Sequence, residues 1–415
     1  MSELSYLEKL LDGAEVEWVA LNKLATFLKG KSLPKEKITP DGNRYCIHYG
    51  ELFTHYGPII DKVCSKTNQA INESILSEKN DVLMPTSDVT PRGLATASCI
   101  QESGVILGGD ILIIRCSGVD GRYLSNFIIN NKKKILQMVK GSTVYHLYAK
   151  DIGKLLIPIP CPNNSEKSLA IQSEIVRILD KFTALTAELT AELSMRKKQY
   201  NYYRDQLLSF KEGEVEWKAL GEIGEVRMCK RILKSQTSSE GEIPFYKIGT
   251  FGKEPDSYIS RKLFNEFKEK YSYPKVGEVL ISASGTIGRT VIFDGRESYF
   301  QDSNIVWIEN NEKIVLNKYL FYFYKIAKWG ISEGGTIKRL YNDNLRKLMI
   351  PVPFPDSPER SLVEQQKIVK LLDKFDALTN SITEGLPREI ELRQKQYEYY
   401  RDLLFSFPKP ETISN

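Results

Sequence analysis

The sequence predicts an α+β protein in which two globular heads of mixed α/β structure are separated by two long antiparallel helices. Two observations carry this prediction. The chain contains an internal repeat with a period of about 200 residues. Within each copy, apolar residues recur at alternating steps of three and four, the spacing of a helical seam. Because there are two copies, we expect the helices to pair as a coiled-coil-like rod with pseudo-twofold symmetry.

Length and charge limit the classes of protein to consider. The chain has 415 residues, with 58 Lys and Arg against 53 Asp and Glu, so its net charge is only +5. That balance excludes a histone-like protein, and it permits nucleic-acid binding only where positive charge gathers on one face. The N-terminus carries acidic residues and lacks the apolar segment of a signal peptide. No apolar stretch approaches the roughly 18–20 residues of a membrane span.

The cysteines and histidines do not form a metal-binding pattern. There are six cysteines and three histidines, without a C-x-x-C pair, and the spacing is wrong for a zinc site. We therefore expect the cysteines to be free, buried and reduced, as in a cytosolic protein. The cysteines are Cys46, Cys64, Cys99, Cys116, Cys161 and Cys229, and the histidines are His48, His55 and His146.

The repeat is strongest in the segments that flank the heads. Half of the residues of Gly141–Thr186 are identical in the gap-free match to Gly334–Thr379. The next match, Arg196–Phe210 with Arg393–Phe407, is displaced by four residues. A third, partial copy opens the chain, since Tyr6–Trp18 resembles Tyr203–Trp217. The chain thus begins with the tail of a unit whose beginning lies at its own C-terminus, a circular arrangement that suits termini meeting in space.

The repeat predicts six segments with distinct roles. Between the matches, residues of about 28–140 and about 228–333 resemble each other only weakly. A frame that is duplicated around unlike heads explains this, and the alternative is a duplicated domain that drifted. The predicted segments are an N-terminal piece that completes the second repeat (1–13), head 1 (14–162), a central helix (163–212), head 2 (213–355), a C-terminal helix (356–407) and a tail (408–415).

The two helices share a seam. Proline-rich runs at 158–162 and 351–358 bound their starts, and Ser361 to Glu364 fits a capping box. The four-residue displacement is close to one helical turn, as is each of the two Thr-Ala-Glu-Leu repeats that begin at Thr186. Pro387 would kink the second helix. The residues predicted to pack in the rod are Ile175, Phe182, Leu185, Leu189, Leu193 and Tyr200 in the first copy, and Ile368, Phe375, Leu378, Ile382, Tyr397 and Tyr400 in the second.

Two alternatives accompany the rod. In the first alternative, each helix folds onto its own domain and has no partner helix. The tyrosine clusters are interpreted as packing anchors, and their alternative role is stacking on nucleic-acid bases. The clusters are Tyr200, Tyr202 and Tyr203, and Tyr397, Tyr399 and Tyr400.

The heads show secondary-structure patterns but no catalytic motif. Val105–Ile114 predicts two short buried strands about a Gly-Gly turn, and 278–282 with 290–293 predicts a hairpin. Residues 317–328 predict an aromatic-rich helix. We find no dinucleotide or phosphate-loop fingerprint, no Ser/His/Asp set, and no Asn-Pro-Pro-aromatic motif of the type used by amino-methyltransferases.

Polar, basic loops relieved by glycine are the candidate binding segments. Glycine lets a ligand approach the backbone, while Ser, Thr, Lys and Arg donate to phosphates and base edges. Lys132–Lys134 adds positive charge to head 1, although a solvated surface run is the favoured interpretation of these lysines. The candidate DNA-binding residues are Thr86, Ser87, Arg92, Lys140, Ser142 and Thr143 in head 1, and Lys247, Thr250, Lys253, Ser284, Thr286, Arg289, Thr336, Lys338 and Arg339 in head 2.

Two unlike heads between helices that end in RKKQYNYYRDQLLSF and RQKQYEYYRDLLFSF carry a family resemblance. The chain resembles the specificity subunits of type I restriction-modification systems, and most closely the type IC subclass, to which the Thr-Ala-Glu-Leu repeats and Glu389–Asp402 are similar. The resemblance spans almost the whole chain, and its motifs are specific outside the heads.

The resemblance implies a function. Each head would be a target-recognition domain that reads one half of an asymmetric, bipartite sequence in double-stranded DNA. The helices would set the spacer and bind two modification (methyltransferase) subunits. The chain would itself be non-catalytic, cytoplasmic and without cofactor or metal, while the modification and restriction subunits would use S-adenosylmethionine, ATP and Mg²⁺. The main rival is a bivalent coiled-coil adaptor that does not touch DNA, and a catalytic nucleic-acid enzyme is the second.

Overall fold

The computed structural model describes residues 6–211, 213–330 and 338–409, and the chain divides into two compact units. Unit 1 is Met1–Glu188 with Ile390–Asn415, and unit 2 is Leu189–Glu389. Both boundaries fall inside long helices. Each unit therefore holds one head of mixed α/β structure together with parts of both helices, which confirms the predicted fold class at the level of each unit.

The strands of unit 1 form four small sheets. A five-stranded sheet has the order β2-β11-β7-β9-β4, a four-stranded sheet β5-β3-β10-β6, a three-stranded sheet β12-β13-β8, and β1 pairs with β14, with these bounds: β1 (Val16–Ala20), β2 (Ala25–Lys29), β3 (Arg44–Ile47), β4 (Ile59–Ile60), β5 (Lys66–Thr67), β6 (Ile75–Leu76), β7 (Val82–Pro85), β8 (Ser87–Asp88), β9 (Ser98–Ile100), β10 (Ile106–Leu107), β11 (Ile111–Cys116), β12 (Lys140–Gly141), β13 (Tyr145–His146) and β14 (Leu156–Pro160). The two strands predicted in 105–114 are present as β10 and β11, but they belong to different sheets.

Six short helices accompany these sheets, and the long central helix follows them. The bounds are α1 (Tyr6–Leu11), α2 (Leu21–Leu24), α3 (Glu51–Thr54), α4 (Gly121–Asn130), α5 (Lys132–Met138), α6 (Ala149–Ile152) and α7 (Ser165–Leu207). Three 3-10 turns span Lys35–Lys37, Ile71–Glu73 and Pro91–Ala95. The 43 residues of α7 correspond to a length of about 65 Å.

Within residues 189–211, 213–330 and 338–389, unit 2 repeats the plan with fewer strands. Its sheets have the orders β16-β22-β19-β20, β18-β17-β21 and β15-β23. The bounds are β15 (Val215–Ala219), α8 (Leu220–Ile223), β16 (Gly224–Arg227), β17 (Ile243–Tyr246), β18 (Tyr258–Ile259), α9 (Arg261–Lys270), β19 (Val279–Ser282), β20 (Thr290–Ile292), β21 (Tyr299–Phe300), β22 (Ile305–Asn310), α10 (Asn317–Tyr324), α11 (Asn342–Arg346), β23 (Met349–Pro353), α12 (Pro358–Asn380) and α13 (Gly385–Leu404), with a 3-10 turn at Lys234–Gln236. The antiparallel β19–β20 pair confirms the predicted hairpin, and α10 confirms the aromatic-rich helix, which ends earlier than predicted.

A buried glutamine fastens a long helix to the head in each unit. Gln172 of α7 is fully buried, and its Oε1 accepts from the backbone N–H of Asp120 (2.9 Å), the residue that caps α4. Gln365 of α12 is also fully buried and accepts from Leu316 N–H (2.8 Å), which caps α10. A buried backbone N–H without a partner is costly, so these bonds position each head on its helix.

A tyrosine hydroxyl completes the duplicated frame. Tyr123 of α4 donates to the carbonyl oxygen of Pro158 at 2.8 Å, and Tyr319 of α10 donates to Pro351 at 3.0 Å. Both proline carbonyls belong to strands that pair with the strand opening the head, β14 with β1 and β23 with β15. The tyrosine thus joins α4 or α10 to the last strand of its head.

Long-helix pairing is present inside each unit. In unit 1, Phe182 of α7 stacks on Tyr400 of α13, with ring centroids 5.2 Å apart and planes at 23°. In unit 2, Tyr203 of α7 stacks on Phe375 of α12 at 5.6 Å and the same 23°. Burial raises the pKa of the Tyr200 hydroxyl to about 12, since that ring lies in the unit 2 core. The rings therefore pack as predicted at these positions.

The C-terminus completes the core of unit 1. Leu404, Phe405 and Phe407 are buried in one cluster with Leu7 and Leu11 of α1. Within that cluster Phe405 contacts the rings of α4. The two ends of the chain therefore meet, as the circular arrangement predicts. The leucines of α1 thus pack beside the end of the second repeat, and the assignment of residues 1–13 as the piece that completes this repeat stays a prediction.

The second long helix is interrupted, which contradicts the prediction of one helix over 356–407. α12 ends at Asn380 and α13 begins at Gly385, which has a φ of 75° and lies so close to the carbonyl of Ala377 that a Cβ would collide with it. Ile382 lies in the break and is 81% exposed, so its predicted packing role is wrong. Pro387 sits in the first turn of α13, where a missing N–H is tolerated.

Three smaller predictions are also wrong. Ser361 does not cap α12, because the helix begins at Pro358 and Ser361 is buried, accepting from Gln365. Tyr202 and Tyr399 are 61% and 65% exposed, so they do not anchor packing. All six cysteines are free, but Cys64 is exposed and Cys116 and Cys161 are only partly buried.

None of the described helices is long and apolar enough to cross a membrane.

The glutamine bond in unit 2 predicts that substitutions at two adjacent residues of α12 differ in their effect on the free energy of unfolding. Gln365→Ala leaves the Leu316 N–H and the Ile314 carbonyl without their side-chain partner, so we expect the free energy of unfolding to fall by about 1–3 kcal/mol. Its neighbour Gln366 is exposed, and Gln366→Ala is the matched control, with a change within about 0.5 kcal/mol. Urea unfolding of both variants measures the difference. Equal effects would contradict the fastening role.

Candidate nucleic-acid interface

In head 1, the small sheet β12-β13-β8 collects the predicted residues. β13 pairs antiparallel with β8, placing His146 opposite Ser87, and with β12, placing His146 opposite Lys140. The turn between β12 and β13 is exposed over Ser142, Thr143 and Val144. It closes through Gly141, whose φ of 125° and close approach to the Val144 carbonyl leave no room for a side chain.

The other head 1 residues lie around this sheet. Thr86 precedes β8 and is half-buried, as is Ser87. Arg92 is exposed on the 3-10 turn Pro91–Ala95, which packs against β8 and β13. Lys140 Nζ lies 3.1 Å from the Asp151 carboxylate, and this bond lowers the pKa of Asp151. The six predicted residues of head 1 are thus brought together.

In head 2, one guanidinium joins two of the predicted loops. Arg289 donates to the carbonyl oxygen of Phe251 at 3.0 Å and to Thr286 Oγ1 at 3.3 Å. Loop 247–253 is closed by its own bond, in which Thr250 Oγ1 accepts from Lys247 N–H at 3.2 Å. Lys253 is exposed at the end of this loop. Lys247 Nζ lies 2.8 Å from the Asp256 carboxylate, so this ion pair partly neutralises the charge of Lys247.

The third predicted loop of head 2, which contains Lys338 and Arg339, contacts the loop that carries Ser284. Arg339 forms a β-bridge with Ser284 and donates to the carbonyl oxygen of Ser303 at 2.9 Å. Ser284 Oγ in turn donates to Asn304 Oδ1 at 2.8 Å. Lys338 is exposed beside them. Thr336 lies outside the described residues.

The two heads build these sites on the same backbone hydrogen bonds. In head 1, Thr86 N–H donates to the carbonyl of Asp110 (2.8 Å), and Thr86 accepts from Leu147 N–H (3.0 Å). In head 2, Ala283 N–H donates to the carbonyl of Asn304 (2.8 Å), and Ala283 accepts from Leu340 N–H (2.8 Å). The frame at the site is therefore duplicated although the surrounding sequences are unlike.

Different side chains occupy equivalent positions on that frame. His146 bridges to Ser87 in head 1, whereas Arg339 bridges to Ser284 in head 2. An imidazole and a guanidinium have different donor and acceptor patterns. Heads with such differences would recognise different base edges.

Several exposed apolar and aromatic residues near these sites were not among the sequence predictions. Val89 is 71% exposed beside β8, and Tyr148 (46%) and Tyr341 (55%) are exposed at matching positions of the repeat. Lys150 Nζ lies 5.9 Å from the centroid of the Tyr148 ring. The available signal was that a tyrosine identical in both repeats sits in a polar context rather than on the helical seam.

The described side chains suit recognition better than catalysis. The sites offer hydroxyl, ammonium and guanidinium donors, which bind phosphates and base edges. Across residues 6–211, 213–330 and 338–409, no group of three or more His, Cys, Asp and Glu is arranged to hold a metal ion. Each head therefore carries one polar, partly basic surface that is suited to recognition.

Comparison with known proteins relates both repeats to one family. The family model described as a type I restriction modification DNA specificity domain matches residues 14–195 and again 212–392. A putative type I restriction enzyme specificity subunit of Haemophilus influenzae is 47% identical over 97% of this chain and 98% of its own length. A type I restriction enzyme specificity subunit of Escherichia coli is 39% identical over the whole of both chains.

A solved structure shares the fold. The type I restriction-modification S subunit from M. genitalium superposes with a TM-score of 0.54 at 16% identity, covering 96% of this chain and 98% of its own. The twofold match of the family model and the full-length relatives agree with the duplicated frame. The chain belongs to the family of type I restriction-modification specificity subunits.

Proposed function

We propose that this chain is the DNA sequence-specificity subunit of a type I restriction-modification complex, in which each head reads one half of an asymmetric bipartite target. The observation that carries the proposal is the pair of sites with equal backbone hydrogen bonding and unequal side chains, as at His146 and Arg339. Two identical heads around a twofold axis would require a palindrome, whereas unlike heads require unlike half-sites.

The proposal extends to the partner subunits. Each unit presents a long helix fastened to its head by the same glutamine bond, so the chain offers two similar frames, and we propose that each binds one modification subunit. Restriction subunits would join the same cytoplasmic complex. The chain would contribute neither catalysis nor a cofactor, and S-adenosylmethionine, ATP and Mg²⁺ would be used by the partners.

The small net charge agrees with DNA binding in which this chain and the modification subunits both contact phosphates. A charge of +5 over 415 residues provides few phosphate contacts, and non-specific affinity grows with their number. We therefore expect weak binding by the isolated chain and tight binding by the complex with modification subunits. A mobility shift with and without the modification subunit measures this. An absence of DNA binding in both states would favour the coiled-coil adaptor.

Head exchange tests the independence of the two readers. Replacing residues 230–339 with the equivalent segment of a relative of different specificity should change one half of the methylated target and leave the other half unchanged. Mapping methylated sites across a genome provides the measurement. Exchange of residues 30–146 is the matched control and should change the opposite half. If either exchange alters both halves, the heads are not independent readers.

Helix length tests the spacer. A third Thr-Ala-Glu-Leu unit inserted after Leu193 lengthens α7 by about 6 Å and rotates it about 40° beyond a full turn. Since a base pair adds about 3.4 Å, and DNA turns once in about 10.5 base pairs, the spacer should grow by one or two base pairs. Methylation mapping reads the spacer directly.

A length-preserving variant controls for local damage to the helix. Glu192→Ala removes the surface ion pair between Glu192 and Arg196 (2.7 Å) without changing the length of α7. The spacer should then stay as in the unmodified protein. An unchanged spacer after the insertion itself would contradict the role of the helix as a ruler.

A further inference from the structure

We propose that the hairpin of residues 140–146, the reading hairpin, is the element with which head 1 enters the major groove, and that Lys133, Lys134 and Lys150 hold the phosphates on its two sides. The proposal rests on the proposed function and deepens it, since it assigns to one element the reading of one half-site and adds residues whose role had no assignment.

The shape of the reading hairpin fits the groove. Its two strands pair through Lys140 with His146 and through Gly141 with Tyr145. The major groove of B-DNA is about 12 Å wide and admits a two-stranded ribbon. β12 is an edge strand of its sheet, and Ser142, Thr143 and Val144 in the turn are exposed, so the hairpin is accessible from solvent. The turn is short, and the φ of 125° at Gly141 leaves no room there for a side chain.

The tip carries groups that read base edges. Ser142 and Thr143 are exposed and hold hydroxyls able to donate and accept, and Val144 is 44% exposed. Val89, at 71% exposure, follows the strand that pairs with β13. Hydroxyls contact bases of either kind, and apolar side chains contact the thymine methyl group. The hairpin and its neighbour therefore combine both kinds of base contact.

Positive charge lies on both sides of the reading hairpin. On one side, α5 leads directly into β12, and its buried Ile135 orients the helix so that Lys133 and Lys134 are exposed. α5 packs on the 3-10 turn that carries Arg92. On the other side, α6 follows β13 and exposes Lys150. The cations thus lie on elements that contact one another around the hairpin.

The acidic residues of the segments around the hairpin, 86–96 and 130–156, form ion pairs or hydrogen bonds within the protein. Asp151 pairs with Lys140 at 3.1 Å and with Lys154 at 3.6 Å. The two carboxylate oxygens of Asp88 accept from Val89 N–H at 2.7 Å and from Thr90 Oγ1 at 2.8 Å. Segments 86–96 and 130–156 together hold seven Lys and Arg but only these two acids. The surface is therefore complementary to a polyanion, which commits the proposal to DNA.

Phosphate contacts and base contacts have different signatures, and the test uses both. The protein is studied in complex with its modification subunits. Lys134→Ala and Lys150→Ala should each weaken binding to all sequences alike and reduce the slope of log K against log salt by about 1. Lys79→Ala is the control, because Lys79 is exposed but precedes β7, at the end of that strand opposite to Thr86. It should leave the slope unchanged.

The base-reading part is tested with Thr143→Ala and His146→Gln. Thr143 is exposed, so the fold should tolerate its loss, and an unchanged melting temperature checks this. Each variant should lose about tenfold or more in discrimination within the head 1 half-site alone, measured by methylation mapping. Wild-type discrimination in both variants, relaxation confined to the head 2 half-site, or a salt slope for Lys134→Ala equal to that of Lys79→Ala would overturn the proposal.

The same maps separate this inference from the proposed function. If the unmodified complex methylates no bipartite target with two unlike halves, the proposed function fails. If it methylates such a target and the hairpin variants leave it unchanged, only the assignment of the reading hairpin fails.

Discussion

The bond between a buried glutamine and the first N–H of a head helix is the constraint on which each unit depends. Gln172 and Gln365 lie in long helices, and each fills a hydrogen-bonding position that no water reaches. Both also donate to a buried serine one turn earlier in the same helix. Because these groups are satisfied only when helix and head meet in one arrangement, they specify that arrangement as well as stabilising it.

This constraint separates the parts that must be kept from the parts that are free to change. The glutamine, the tyrosine bond to a proline carbonyl and the ring stack all recur in both units with almost the same geometry. The local structure of the recognition sites is instead held by backbone hydrogen bonds, which do not depend on side-chain identity. A side chain such as His146 is therefore replaceable by Arg at the equivalent position without loss of the local fold.

The sequence predicted the frame well because the frame is periodic and repeated. The seam from Ile175 to Tyr200 and the meeting of the chain ends were readable from spacing alone. The interruption at 381–384 was not, because it depends on Gly385 adopting a positive φ where its backbone approaches the carbonyl of Ala377. The helical spacing continues through Ile382, because spacing alone does not record where a helix is interrupted.

The sites were predictable in composition but not in arrangement. Glycine-relieved basic loops indicated the candidate segments, yet the pairing of β8 with β13 joins residues about 60 positions apart, and no local pattern encodes such a pair. The fastening role of Gln172 was likewise invisible, because a glutamine on a helix is ordinarily a solvated residue. Its significance depends on a partner N–H that only the tertiary structure supplies.

The distribution of charge links these points. Seven cations against two acids give segments 86–96 and 130–156 a net charge of +5, equal to that of the whole chain, so the remainder of the molecule is neutral overall. A basic surface around the reading hairpin concentrates attraction for phosphates at the place where head 1 is to read bases. The zero net charge of the remainder limits non-specific attachment. A small net charge is therefore compatible with sequence recognition when the charge is placed beside the element that reads, and the partners supply the remaining contacts.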